Sequence, residues 1–131
     1  MPHVHASPYS VTSTFRHTIL LVEDDESLRI CVAEYLEECG YLVFEAGNVA
    51  EAKAVLNGDT NVDLVFSDVN MPGEETGFDL EKWLRLYRPQ TKVILTSGSP
   101  HATEKIKYLH EPLMPKPYLY ASMLRRIQSL L

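Results

Sequence analysis

Apolar positions along this chain follow two spacings in turn. Thr18-Ile19-Leu20-Leu21-Val22 is an unbroken apolar run. A sheet with one wet face would show alternation there, so the run predicts a strand buried on both sides. From Asp25 to Gly40 the apolar residues recur at helical spacing. Leu28, Cys31, Val32, Tyr35, Leu36 and Cys39 share one expected face, with Asp25 as N-cap and Gly40 as stop. Residues 41–45 predict a second strand. Asn48 opens a second helix, with Glu51 in capping-box-like position, Val49, Ala52, Val55 and Leu56 as its inner stripe, and Gly58 at its end. A central strand is expected over 62–68. The third helix, 76–88, turns Phe78, Leu80, Trp83, Leu84 and Tyr87 inward and ends at Pro89.

The fourth strand covers 92–96. Ser99-Pro100 starts a fourth helix with little to bury beyond Ala102, Ile106 and Leu109, which makes it the least stable element expected. A short strand over 113–116 precedes a last helix, 118–130, with Leu119, Met123, Leu124, Ile127 and Leu130 inward. Five strands alternating with five helices through short connections predict an α/β fold, a doubly wound, five-stranded parallel sheet with helices on both faces. Residues 1–16 show no period and read as a flexible leader; 17–131 form one domain.

With 131 residues, 45% hydrophobic and 23% charged, the composition is that of a globular domain. The formal charge of −6 opposes direct nucleic-acid binding, and Arg85 with Arg88, or Arg125-Arg126, reads as a solvated helix face. No run approaches the ~20 residues of a membrane span, and residues 1–17 lack a signal-peptide core, so the cytoplasm is the expected compartment. Cys31 and Cys39, eight residues apart on one helix, are about 12 Å apart. That exceeds the ~7 Å reach of a disulfide, and both are expected as reduced packing residues. His3 and His5 read as part of the leader.

The chemistry gathers where strands end. The expected carboxyl ends of strands one, three, four and five carry Glu23-Asp24, Asp68, Thr96-Ser97 and Lys116. Open α/β sheets place their sites along this edge. Carboxylates about 4 Å apart repel by several kcal/mol at an effective dielectric near 20. A cation is therefore expected among them, and an all-oxygen set with room for water suits Mg²⁺. The backbone carbonyl of Asn70 is one more oxygen at hand. Asp68 would act as an oxygen nucleophile toward phosphorus, Lys116 as a point charge beside it, and Thr96 as a hydroxyl donor.

Leu21-Val22-Glu23-Asp24-Asp25, Asp68-Val69-Asn70-Met71-Pro72-Gly73, Thr96-Ser97 and Lys116-Pro117, in that order, resemble the four signatures of bacterial response-regulator receiver domains. The resemblance covers residues 17–131 and implies a flavodoxin-like strand order, 2-1-3-4-5. It also implies that Asp68 is the phospho-acceptor, taking its phosphoryl group from a sensor histidine kinase or phosphotransfer protein. Asp24 would be a direct Mg²⁺ ligand together with Asp68 and the Asn70 carbonyl, and Glu23 would act through water. Thr96 would be the switch hydroxyl, Lys116 the invariant lysine, and the Lys116-Pro117 bond cis.

Three departures stand out. The loop Gly73-Glu74-Glu75-Thr76-Gly77 is one residue longer than usual and adds two acids near the metal, as in receivers that stand alone or are attached to hybrid kinases. Leu113 occupies a position that is often aromatic, so the aromatic rotamer switch is expected to be missing. Gly98 leaves open space two residues past Thr96. With no further domain after residue 131, the expected output is binding of an unidentified downstream protein, and a homodimer across the face between the fourth and last helices is left open. Two competing readings are a docking module that never accepts phosphate and a metal-dependent phosphatase with an Asp nucleophile. The phosphatase requires an acid two residues after the nucleophile, where this chain has Asn70. No phosphate-cradling loop follows the first strand, which removes a flavin-binding reading.

Overall fold

The structure, a computed structural model, describes residues 16–98 and 113–131. Its elements are β1 (Thr18–Val22), α1 (Glu26–Glu38), β2 (Leu42–Ala46), α2 (Val49–Leu56), β3 (Leu64–Asp68), α3 (Gly77–Tyr87), β4 (Lys92–Ser97), β5 (Met114–Pro115) and α4 (Tyr120–Leu130). All strand pairs are parallel and the order is β2-β1-β3-β4-β5, the 2-1-3-4-5 arrangement expected. Four helices lie among the described residues. The helix expected to start at Ser99-Pro100 falls outside them, as do His3, His5 and nearly all of the expected leader.

The continuous apolar strands divide between two cores, because successive side chains in a strand point to opposite faces. Ile19 and Leu21 of β1 and Leu64 and Phe66 of β3 join Val32, Ala33 and Leu36 of α1 and Met123 and Ile127 of α4. Leu20, Val22 and Val65 face the other way, against Ala52 and Leu56 of α2 and Leu80 and Leu84 of α3. Each helix thus covers one side of a sheet whose central strands are fully buried.

Local chemistry sets the helix starts. Asp25 accepts from the Leu28 N–H, and Asn48 accepts from the Glu51 N–H. Thr76 and Asp79 form a reciprocal capping box. Each cap satisfies a donor that the helix itself leaves open. After α1, Gly40 takes a positive φ of 99°, which a side chain would strain. The Lys116-Pro117 peptide is cis, as the resemblance implied.

Several expected inward residues are in fact outside. In α1 the buried arc is Val32, Ala33, Leu36 and Glu37. At 3.6 residues per turn that arc leaves Cys31 on the far side and Cys39 at its flank, and both thiols are exposed. The expected stripe was wider than the sheet surface that covers it. Tyr87 is 59% and Leu119 74% exposed. Both stand at a helix end, Tyr87 as the last residue of α3 and Leu119 as the N-cap of α4, beyond the part of the helix that lies over the sheet. Trp83 is half-buried, tilted against Tyr87, with Lys53 and Arg88 each 5.7 Å from its ring.

Gly77 sits where α3 meets β3. Its N–H donates to the Val69 carbonyl at 2.8 Å. A Cβ there would run into the Asp68 carbonyl oxygen and come within 2.8 Å of Val69 Cα, both backbone atoms with little room to shift. Gly77→Ala is therefore expected to destabilise by about 1–3 kcal/mol, read as a lower urea midpoint at unchanged slope. Leu36→Ala, at a fully buried position, is expected to lose about 2–5 kcal/mol in the same measurement. Leu86→Ala, 75% exposed, is expected to stay within about 0.5 kcal/mol of wild type.

Candidate functional site

β1 and β3 end side by side, with Val22 opposite Ser67, so Glu23 and Asp68 emerge from adjacent strands. Burial reaches the rim itself: Glu23 is 4% and Asp68 7% exposed, while Asp24, the next residue out, is exposed. Carboxylate oxygens of Glu23, Asp24 and Asp68 all lie within 4.8 Å of one another. Two such charges at 4.8 Å repel by roughly 3 kcal/mol at an effective dielectric near 20.

Lys116 answers that repulsion. Its Nζ donates to Asp68 Oδ2 at 2.8 Å and to Glu23 Oε1 at 2.9 Å. Three elements hold it there. Met114 and Pro115 pair with Thr96 and Ser97 of β4, and the Lys116 N–H continues the ladder to the Ser97 carbonyl at 3.0 Å. Two residues on, Tyr118 is anchored edge-on to Phe66 with ring centroids 5.6 Å apart. Burial pushes its phenol up to about 12, so it stays protonated at neutral pH.

Burial also pushes the Glu23 carboxyl above its usual range, against the hydrogen bonds from Lys116 and the Asp25 N–H. For Lys116 burial acts to lower the ammonium, but the hydrogen bonds it donates to Asp68 and Glu23 outweigh this and raise it. The lysine is therefore firmly cationic, and one ammonium faces three acids.

Asn70, two residues past Asp68, donates its backbone N–H to Asp68 Oδ1 at 3.1 Å, and its amide reaches Ser97 Oγ at 3.4 Å. Thr96 stands in register with Asp68 on β4 and is 1% exposed; its carbonyl accepts from the Val69 N–H at 2.8 Å. The structure thus brings Glu23, Asp24, Asp68 and Lys116 together and places Asn70 and Thr96 on the residues that flank them. Three carboxylates that bring oxygens within 4.8 Å of one another are the hard, all-oxygen donor type that suits Mg²⁺.

The extra acids of the loop do not join this group. Glu75 turns toward α2 and pairs with Lys53, Oε2 to Nζ 2.6 Å, and the acid cluster contains neither it nor Glu74. Pro72, Gly73, Glu74 and Glu75 line a cleft with Asn48, Val49 and Ala50 instead. A lysine 22 residues away in sequence gives Glu75 an opposite charge, where the rim would give it like charges. Two residues make supporting contacts that were not read from the sequence. One is Gly77, described above. The other is Arg29, which donates through Nη1 to the Glu23 carbonyl at 2.9 Å and through Nε to Glu45 Oε1 at 3.0 Å. The sequence marks Arg29 through its place in the family's helix-one pattern, counted back from which Glu23 and Asp24 are the acidic pair, but gives no sign of these two contacts.

Comparison with known proteins agrees with this geometry. The family model for the response regulator receiver domain matches residues 19–124. Protein PetR of Rhodobacter capsulatus is 32% identical over 116 residues, which are 86% of this chain and 48% of that protein. The sensor kinase CckA of Brucella abortus is 42% identical over 84 residues, 62% of this chain and 9% of the kinase. The chain thus spans about half of the first relative and a small part of the second. Among solved structures, the response regulator protein TrrA of Thermotoga maritima, in complex with Mg(2+)-BeF, superposes with a TM-score of 0.78 at 27% identity, covering 88% of this chain and 99% of that one. Similar folds include a receiver domain from the hybrid histidine kinase CckA, at 33% identity and a TM-score of 0.71 over 87% of this chain and 98% of that one. With a matching family model over most of its length, the chain belongs to the response regulator receiver domain family.

Proposed function

We propose that residues 17–131 form a phospho-acceptor signalling domain of a two-component system, with Asp68 as the acceptor and Mg²⁺ as cofactor. The observation that carries this reading is the Lys116 ammonium bridging Asp68 and Glu23 within an acid ring that includes Asp24. Asp24 and Asp68 would hold the ion with the Asn70 backbone carbonyl, and Glu23 would act through water. When bound, Mg²⁺ supplies neutralising charge for phosphoryl oxygens.

The chain's own residues do the rest. An Asp68 carboxylate oxygen attacks the phosphorus of a phosphohistidine in line; the P–O bond forms as the P–N bond breaks, and the imidazole leaves with the electron pair and takes a proton from solvent. The Asn70 N–H and Lys116 hold the carboxylate in one orientation, so little reorganisation is needed on attack. Lys116 then faces the transferred oxygens as a point charge. Thr96, in register with Asp68 on the neighbouring strand, would donate its hydroxyl to the new group.

The donor would be a sensor histidine kinase or phosphotransfer protein, a reading supported by the match to a sensor kinase segment. The output would be binding to a downstream protein, with the domain acting as a switch and not as an enzyme that turns over substrate. Leu113 is half-buried against the Val69, Phe78 and Leu95 cluster, an aliphatic contact at the position that the resemblance implies is often aromatic. Among the described residues no helix is long and apolar enough to cross a membrane; the cytoplasm is the compartment proposed for the domain.

Incubation with Mg²⁺ and a small acyl-phosphate donor, followed by intact-mass analysis, tests the assignment. The expected result is one phosphoryl adduct on the wild type, and none on Asp68→Asn or on wild type with the metal chelated. No adduct on any sample would instead support a docking module that never accepts phosphate. Steady release of phosphate from unrelated esters would support a phosphatase, against which Asn70 already stands as a residue unable to serve as general acid.

A further inference from the structure

Arg29 lies in the first turn of α1 and reaches back under the end of β1. Its Nη1 donates to the Glu23 backbone carbonyl at 2.9 Å, and its Nε donates to Glu45 Oε1, near the end of β2, at 3.0 Å. The two side chains are only 20% and 22% exposed, so the fork is shielded from most competing water. The carbonyl it holds belongs to the peptide that joins Glu23 to Asp24. A peptide is planar, so fixing that oxygen fixes the direction in which the Asp24 Cα leaves the strand.

The three clustered acids differ in how they are held. Glu23 and Asp68 are buried and bound by Lys116, and Glu23 also accepts from the Asp25 N–H. Asp24 is exposed and meets the Glu23 side chain rather than Lys116, so the direction of its backbone bears directly on where its carboxylate sits. Building on the Mg²⁺ reading above, we infer that Arg29 is a positioning residue for the metal site. It clamps the Glu23–Asp24 peptide so that the Asp24 carboxylate stays within the acid ring. Glu45 holds the guanidinium and neutralises it, so the directional hydrogen bond acts here and the charge does not. Lysine would not substitute, because a single ammonium on a shorter reach lacks the planar fork that meets both acceptors.

The test is Mg²⁺ affinity by calorimetric titration of the full chain, alongside urea midpoints measured without metal. Partners behind metal ligands are typically worth 10–100-fold in affinity. Arg29→Met and Arg29→Lys are both expected to weaken Mg²⁺ binding at least about tenfold, with the urea midpoint of Arg29→Lys close to wild type. Lys92→Met, which removes one positive charge at the opposite edge of the sheet, is expected to bind as wild type does. Wild-type affinity in Arg29→Lys would overturn the inference, because charge alone would then suffice. A fall in urea midpoint that tracks the loss of affinity in both Arg29 variants would also overturn it, as general loosening. A wild type that fails to bind Mg²⁺ would defeat the functional reading itself, a result distinct from the other two.

Discussion

Everything at the rim of this sheet depends on one ammonium group shared between two buried carboxylates. Without Lys116, Glu23 and Asp68 would sit nearly dry, with Asp24 alongside and only backbone donors to meet them. The chain tolerates this because β5, although only two residues long, places Lys116 within 3 Å of both acids. One positive charge does not balance three negative ones. The ring is therefore incomplete by construction and is suited to gain a further cation, or to give up negative charge to an electrophile.

The fold serves this arrangement by burying the central strands on both faces. β1 and β3 are buried along their whole length between two separate cores, so the carboxylates at their ends inherit a fixed spacing from the ladder. Gly77 brings α3 against the β3 backbone at Asp68, where no side chain would fit. Arg29 holds the other strand end from the side of α1. Rigidity beneath and adjustable charge above is a division of labour common to sites that must bind, react and release.

Most of this was legible in the sequence because it rests on short-range signals. Unbroken apolar runs marked the two-faced strands, and Asp25 and Asn48 announced their helices through caps only three residues long. Acids at two strand ends, hydroxyls at a third and a lysine at a fourth pointed to the rim where Glu23, Asp24, Asp68 and Lys116 gather. The misread residues all depended on something farther away. Cys31 and Cys39 have helical spacing, but the width of the covering surface decides which flank is buried. Tyr87 and Leu119 are apolar at helix termini, where the sheet no longer lies beneath them. Glu75 was placed near the metal by proximity in sequence, whereas Lys53 of α2 captures it across 22 residues.

That capture has an optical consequence. Lys53 holds Glu75 on the loop that follows Asp68 and also lies 5.7 Å from the ring of Trp83, the one tryptophan in the chain. The indole is thus wired, through a single side chain, to the segment leaving the acidic rim. A rearrangement of that segment that drew Lys53 away would change the charge beside the indole, and Trp83 emission would register it.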